Sequence, residues 1–283
     1  MIALTFIFLL VQPDSIQSII VESSQQLFQK ATSISAAPDG KVFVIDQSSN
    51  SLYVISQQNS ILKTLGGLGW GNDAFDFPTD ISSSFLLDIL VVDANNRRVQ
   101  RYDKNFNYIQ TYDENILPQS SGRFQPIATA TSNQGDLYIL DNDGRRVITV
   151  NSRGQFEREF GTFADSKGRL IDPRDITVTA ENEVIVLDGK TVIIFDRFGN
   201  YVRSIKLSSK ESWKTINVSG RELIISSSSR IELINLDMNT SITIKHQSLI
   251  GSKVEEPFSD ALIQGSILII LTQTTLYRCS FPQ

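Results

Sequence analysis

The sequence predicts an all-β protein: a six-bladed β-propeller of four-stranded antiparallel blades, closed by an N-terminal strand that completes the last blade. Three observations carry this expectation. A Val- and Ile-rich segment ending in Asp recurs at Asp46, Asp93, Asp141 and Asp188, at intervals of 47, 48 and 47 residues. Each copy is followed by a polar turn and two more short strand-like segments, and copies two to four are preceded by one that Pro opens. Two degenerate copies follow, and the last stops one strand short. A four-stranded unit of this size cannot bury both faces alone, and radial stacking of successive units solves that problem.

Residues 2–11 (IALTFIFLLV) form an apolar run. As a helix it would rise only about 15 Å, half of a bilayer core. Its length and position fit the core of a secretory signal peptide. The domain expectation is therefore a signal peptide over 1–14 and one propeller over 15–283, exported to the periplasm, the cell surface or the medium. No Lys or Arg precedes the run, and a buried N-terminal strand is the alternative. No other stretch approaches 18 consecutive apolar residues, so no membrane span is expected in the mature protein.

The first four blades follow in order. Their second strands are KVFVID, DILVVD, DLYILD and EVIVLD; their inner strands include PTDIS at Pro78, PIATA at Pro126 and PRDIT at Pro173. Blade five has Ser227 at the place of the repeat Asp, and blade six has Thr272. The chain ends at Gln283, after the third strand of blade six, and residues 15–22 (SIQSIIVE) are expected to supply the fourth. Closure of this kind removes two open sheet edges.

The copy PTDIS followed by DILVVDANNRRVQRYD resembles the NHL repeat, as do GDLYILDNDGRRVITV and QFEREFG in blade three. The loops GGLGWGNDAFDFP and GTFADSKGRLIDP are similar to that family's Gly-rich connections. The match is strong in blades one to four and weak in blades five and six. The resemblance implies the fold and leaves several functions open, since NHL-like propellers include a zinc lyase, metal-dependent lactonases and RNA binders.

The residues narrow those options. The zinc lyase needs several His ligands, and this chain has only His246, placed at the end of an outer strand of blade five. Lys plus Arg number 26 against 31 Asp plus Glu, a net charge of −5. A polyanion binder needs the opposite balance, so no nucleic-acid partner is expected. One cysteine, Cys279, excludes an intrachain disulfide. A lactonase-like calcium site needs only oxygen ligands; Asp80, Asp175, Asn217 and Asp260 near the inner-strand starts are its candidates. Asp80 and Asp175 also belong to the repeat pattern, which gives them a structural explanation. The repeat Asp residues have the same bland reading: turn carboxylates accepting backbone N–H groups, with Arg97, Arg98, Arg145 and Arg146 pairing either with them or with a neighbouring blade as surface ion pairs, each contributing about 0–1 kcal/mol.

What remains is a binding surface. Trp70 lies in a loop with four Gly and is the main candidate anchor, beside Phe75, Phe77, Phe124 and Phe163; the alternative for Trp70 is that it packs down on its own blade. Phe77 reads as packing. Trp213 either lines the channel mouth or plugs it. Arg174 and Lys214 start inner strands, and either place positive charge at the channel mouth for an anionic ligand or sit exposed on its rim. The expected function is a monomeric, non-catalytic scaffold that binds a protein through its inter-blade loops, without a cofactor; the alternative is a calcium-dependent hydrolase or lactonase.

Overall fold

The computed structural model describes residues 13–16, 18–83, 88–118, 123–208, 210–238 and 240–281. The apolar run 2–11, and with it the expected signal peptide, lies outside the described residues.

Six sheets make six blades, each with an antiparallel body of four strands, and in blade six Leu249–Ile250 adds a short parallel fifth strand against Ile19–Gln26. Blade one runs through Ala31–Ala36, Val42–Asp46, Ser51–Ile55 and Ile61–Gly66. Blade two comprises Pro78–Ser83, Ile89–Asp93, Arg98–Tyr102 and Tyr108–Tyr112. Blade three contains Pro126–Thr131, Leu137–Asp141, Arg146–Val150 and Phe156–Phe160. Blade four is Pro173–Val178, Val184–Asp188, Thr191–Phe195 and Tyr201–Lys206. Blade five is Trp213–Ser219, Glu222–Ser227, Arg230–Asn235 and Ser241–Lys245.

Blade six supplies only Phe258–Gln264, Ile267–Thr272 and Thr275–Ser280 from its own segment. Ile19–Gln26 pairs antiparallel with Thr275–Ser280 and is its fourth strand. Closure by the N-terminus therefore holds, with the strand beginning four residues later than the sequence suggested. Upstream of it, Pro13–Ile16 runs parallel to Ser241–Lys245 and adds a fifth strand to blade five.

The second strand of blades one to four is buried at every position. Both of its faces meet a neighbouring blade, which is why these segments read as continuous apolar runs rather than alternating ones. The outer strand of blade one is exposed almost throughout. Six apolar clusters result, each spanning one blade-to-blade interface. Between blades one and two, Phe43, Ile45 and Val54 pack on Ile81, Val91 and Tyr102.

Two local features position the functional groups. In blades one to four the turn before the third strand places Asn50, Arg97, Arg145 and Gly189 at φ of 50°, 52°, 48° and 57°. Asn and Gly suit this left-handed conformation, whereas the two Arg residues adopt it under tertiary constraint. In addition, every inner strand carries a β-bulge just after its first residue, as between Pro78 and Asp80, Pro173 and Asp175, and Trp213 and Thr215. A bulge sets two residues against one and re-aims side chains. Here it puts consecutive residues, such as Arg174 and Asp175, on the wall of the central channel.

Candidate functional site

The inter-blade loop face is built on the repeat carboxylates. Asp93 is fully buried and accepts from Asp76 N (2.7 Å), Asn96 Nδ2 (2.9 Å) and Arg98 Nε (2.7 Å). Asp141 accepts from Gln125 N (2.8 Å) and Arg146 Nε (2.9 Å). Asp46 and Asp188 receive loop N–H groups in the same way, from Gln29 and Asp172 at 2.7 and 2.6 Å. The expectation of weak surface pairs is thus corrected for Asp93–Arg98 and Asp141–Arg146. Their carboxylates have no exposed side-chain surface, because the inter-blade loop folds over them. Arg97 does not join its own blade's Asp: its Nε donates to Phe124 O at 2.9 Å, and it sits 3.8 Å from Asp143.

Arg98 then fixes the loop that carries Trp70. Its Nη1 donates to Trp70 O (2.9 Å) and its Nη2 to Gly71 O (2.9 Å) and Ala74 O (3.2 Å). Asn96 holds Gly69 O at 2.8 Å, Gln100 holds Ala74 O at 2.9 Å, and Tyr102 OH holds Asn72 O at 2.6 Å. Phe75 is buried beneath this loop. The Trp70 side chain nevertheless remains 72% exposed, beside Leu68 at 74%. A large apolar side chain on a backbone fixed by buried donors is an anchor with little ordering entropy left to lose on binding.

The other aromatics divide. Phe124, like Phe75, is buried, but in the next apolar cluster, between blades two and three. Phe163 is exposed, with the Arg169 guanidinium 3.8 Å from its ring centre. Phe77, read as packing, is instead 42% exposed, with φ of 54° and the Lys30 ammonium 5.6 Å over its ring. Trp213 is corrected as a binding residue. It is 2% exposed, lies in the apolar cluster between blades four and five, and donates from Nε1 to Ser208 O at 3.3 Å. It is the residue before the bulge, which faces the blade interface, while its neighbour Lys214 takes the channel side.

The channel brings together all four candidate oxygen ligands. Asp80, Asp175, Asn217 and Asp260 line one polar cavity of 260 Å³, and Asp80 and Asp175 also floor a second cavity of 340 Å³ at the mouth. Arg174 and Lys214, both exposed, line that mouth cavity. The three Asp residues occupy the same inner-strand position on alternate blades, and each reaches to the next blade. Asp80 accepts Thr129 N at 2.8 Å, Asp175 accepts Ile216 N at 2.7 Å, and Asp260 accepts Ile34 N at 3.0 Å. Ser33 Oγ donates to Asp80 at 2.8 Å, and Asn217 Nδ2 to Asp260 at 3.0 Å.

Burial pushes all three carboxyl groups up. For Asp260 the result is about 7. Asp175 is raised well above the usual carboxylate range: burial is the largest cause, and the charges of Asp80 and Asp260 add to it. Burial therefore disfavours the charged form of all three, and their oxygens already stitch blades together. Among the described residues no three Asp, Glu, His or Cys groups are arranged to hold a metal ion.

Sequence reasoning missed the stapling residues of blades five and six. Glu211 and Glu256 lie in the inter-blade loops, not at the repeat position. Glu211 accepts from Ser227 Oγ (2.9 Å) and Ser229 Oγ (2.7 Å); Glu256 accepts from Thr274 N (3.0 Å) and Thr274 Oγ1 (2.6 Å). The signal was the loss of the repeat Asp beside a new loop carboxylate. His246 lies just after the outer strand of blade five, as expected, stacked on Phe258 with ring centres 4.0 Å apart.

No family model matches the chain. The chain is a six-bladed β-propeller, and known structures agree on that fold. Virginiamycin B lyase from Staphylococcus aureus, in complex with quinupristin, superposes with a TM-score of 0.62 at 16% identity, covering 90% of this chain and 81% of that one. A candidate gluconolactonase gives 0.66 at 10% identity, covering 92% of each. A nidogen/laminin complex gives 0.61 at 16% identity, covering 78% of this chain and 82% of that one. Likeness at these identities shows the fold alone. In sequence, 146 residues are 30% identical to protein brain tumor of Drosophila melanogaster and 29% identical to the B-box type zinc finger protein ncl-1 of Caenorhabditis elegans. These matches cover 50% of this chain and 14% and 17% of those proteins, so the chain spans a small part of either.

Proposed function

We propose that this propeller is a non-catalytic, NHL-like recognition module that binds a protein partner through its inter-blade loop face, with Trp70 as the principal anchor. One observation carries the reading. The Trp70 loop is held at five carbonyls, those of Gly69, Trp70, Gly71, Asn72 and Ala74, by buried or partly buried side chains of blade two, yet Trp70 itself is 72% exposed. A fold with no use for that side chain would bury it or leave its loop slack. Leu68, Phe163 and Ile171, at 74%, 77% and 65% exposure, extend the apolar surface across inter-blade loops of the same face. Aromatic anchors of this kind carry most of the energy in protein interfaces.

The apolar run 2–11 supports export of the module, and the partner is then an envelope or extracellular protein. The repeat Asp–Asn–Arg network supports the NHL assignment. Calcium-dependent hydrolysis is the weaker reading, since the channel carboxyls are spent on blade contacts.

The test is affinity capture from an envelope fraction with the wild-type chain and Trp70→Ala in parallel. A stoichiometric partner that is retained by the wild type and lost by the variant supports the reading. Equal capture by both, with no loss, would sink it. Trp70→Ala removes no buried contact, so it should fold as the wild type does.

A further inference from the structure

The chain carries a net charge of −5, yet its loop face over blades three and four is cationic. Arg145 stands on the turn before the third strand of blade three and Lys190 on the same turn of blade four. Arg169 lies in the loop between these blades and Lys210 in the loop after blade four, and all four side chains are exposed. Two contacts join them into one patch. The Arg145 charge reaches Asp188 of blade four, and Leu207 N, in the loop that carries Lys210, donates to Lys190 O at 2.9 Å. Among the described residues no carboxylate pairs with Arg145, Lys190 or Lys210, and Arg169 lies over the Phe163 ring instead. The acids of this sector are already engaged. Asp143 faces Arg97 at 3.8 Å, Asp172 pairs with Arg174 at 2.8 Å and Glu211 faces Arg230 at 3.6 Å. Asp165 accepts Thr162 N at 2.7 Å, and Asp188 is buried beneath loop N–H groups. At the opposite end of blades four and five the balance reverses, where Glu181, Glu183 and Asp237 surround the single Arg221. Charge is thus segregated between the two faces, which steers an anionic partner to one of them.

We propose that this patch receives an acidic segment of the partner protein, whose carboxylates meet Arg145, Arg169, Lys190 and Lys210 while an apolar side chain of the segment packs on Phe163 and Ile171. The inference rests on the loop-face reading and names the chemistry of its partner. Guanidinium forks and ammonium groups both suit carboxylates, and exposed cations of this kind act chiefly on the rate and specificity of docking. Phe163 and Ile171, 77% and 65% exposed, lie in the same loop as Arg169, so charge and apolar surface are offered together. A nucleic acid suits the patch less well. A base stacks on an open aromatic face, and the Arg169 guanidinium already covers one face of the Phe163 ring at 3.8 Å. Ile171 offers a base no stacking platform. A long polyanion running beyond the patch would also meet the acidic remainder of the chain, whereas a short acidic segment would not.

Fluorescence titration of the full chain with a labelled random copolymer of Glu and Tyr tests it, with a single-stranded oligonucleotide of similar net charge in parallel. We expect saturable copolymer binding, tighter than that of the oligonucleotide and weakened about tenfold between about 50 mM and about 300 mM salt. Arg145→Gln combined with Lys190→Gln should weaken copolymer binding by about tenfold with the melting temperature unchanged, since both side chains are exposed and unpaired among the described residues. Lys104→Gln combined with Arg153→Gln makes the same change of charge on the opposite face, at two exposed positions, and should leave binding as it was. The proposal is overturned if the copolymer does not bind saturably, if the Arg145/Lys190 double variant binds as the wild type does, if the control pair weakens binding equally, or if the oligonucleotide binds more tightly. Failure here with Trp70-dependent capture retained strikes only the acidic segment. Loss of that capture with the copolymer result intact strikes only the Trp70 anchor.

Discussion

Blades two and three tie down their inter-blade loops with a carboxylate from the strand turn, whereas blades five and six do so with one from the loop. In the first pair, Asp93 and Asp141 are buried and each holds a loop N–H together with an Arg of its own blade. In the second pair the direction reverses. Glu211 and Glu256 reach in from the loop and accept from Ser227, Ser229 and Thr274 on the turn. The repeat therefore preserves a contact rather than a residue: a buried turn needs its polar groups paired, and the partner can come from either side. What looks degenerate in sequence is a staple with donor and acceptor exchanged.

The exchange has an energetic consequence. Asp93→Ala leaves Arg98, whose side chain is only 10% exposed, without its carboxylate, whereas Arg146, 5% exposed, keeps its ion pair with Glu159 after Asp141→Ala. We expect a loss of about 3–5 kcal/mol in urea unfolding for Asp93→Ala, the largest effect among these variants, and a smaller loss for Asp141→Ala. Glu211→Ala and Glu256→Ala remove hydrogen bonds that are partly exposed, and should cost about 1–2 kcal/mol each. Equal losses in the two groups would break the comparison.

The channel carboxyls sharpen it from another direction, since they stitch blade two to three, four to five and six to one. Their folded pKa values lie above the unfolded carboxylate range, and that of Asp260 is about 7. Such groups stabilise the fold fully below the unfolded value of about 4, and the contribution is lost as pH rises through the folded value. The melting temperature should therefore fall between about pH 4 and about pH 8, and Asp260→Asn should flatten that fall. Exposed carboxyls with lowered values, such as Asp39 and Asp196, work in the opposite sense at lower pH. A profile that rises from pH 4 to 8 would contradict the stitching role. The smallest stability effect is expected for Trp70→Ala, within about 0.5 kcal/mol, against a large loss of partner binding.

Much of the fold was legible because the repeat is written four times in apolar, β-branched segments. Even the closure could be read, from a blade one strand short and a strand-like segment upstream. The ligand candidates were legible as positions only. Asp80, Asp175 and Asp260 do meet in the channel, but nothing in their spacing says that each accepts an N–H from the next blade. Trp213 shows the limit most plainly. Lys214 is the very next residue, and the bulge sends the first into the core and the second to the channel.

The sequence by itself determined the blade count, the strand order and the ring's closure, because these follow from hydrophobic periodicity and the need to cover every blade face. Only the tertiary structure decided which polar groups are buried, which cations reach the rim and which Trp faces solvent. Those outcomes depend on how a loop from one blade lies over the turn of the next. That contact joins residues of neighbouring repeats, and no local pattern encodes it.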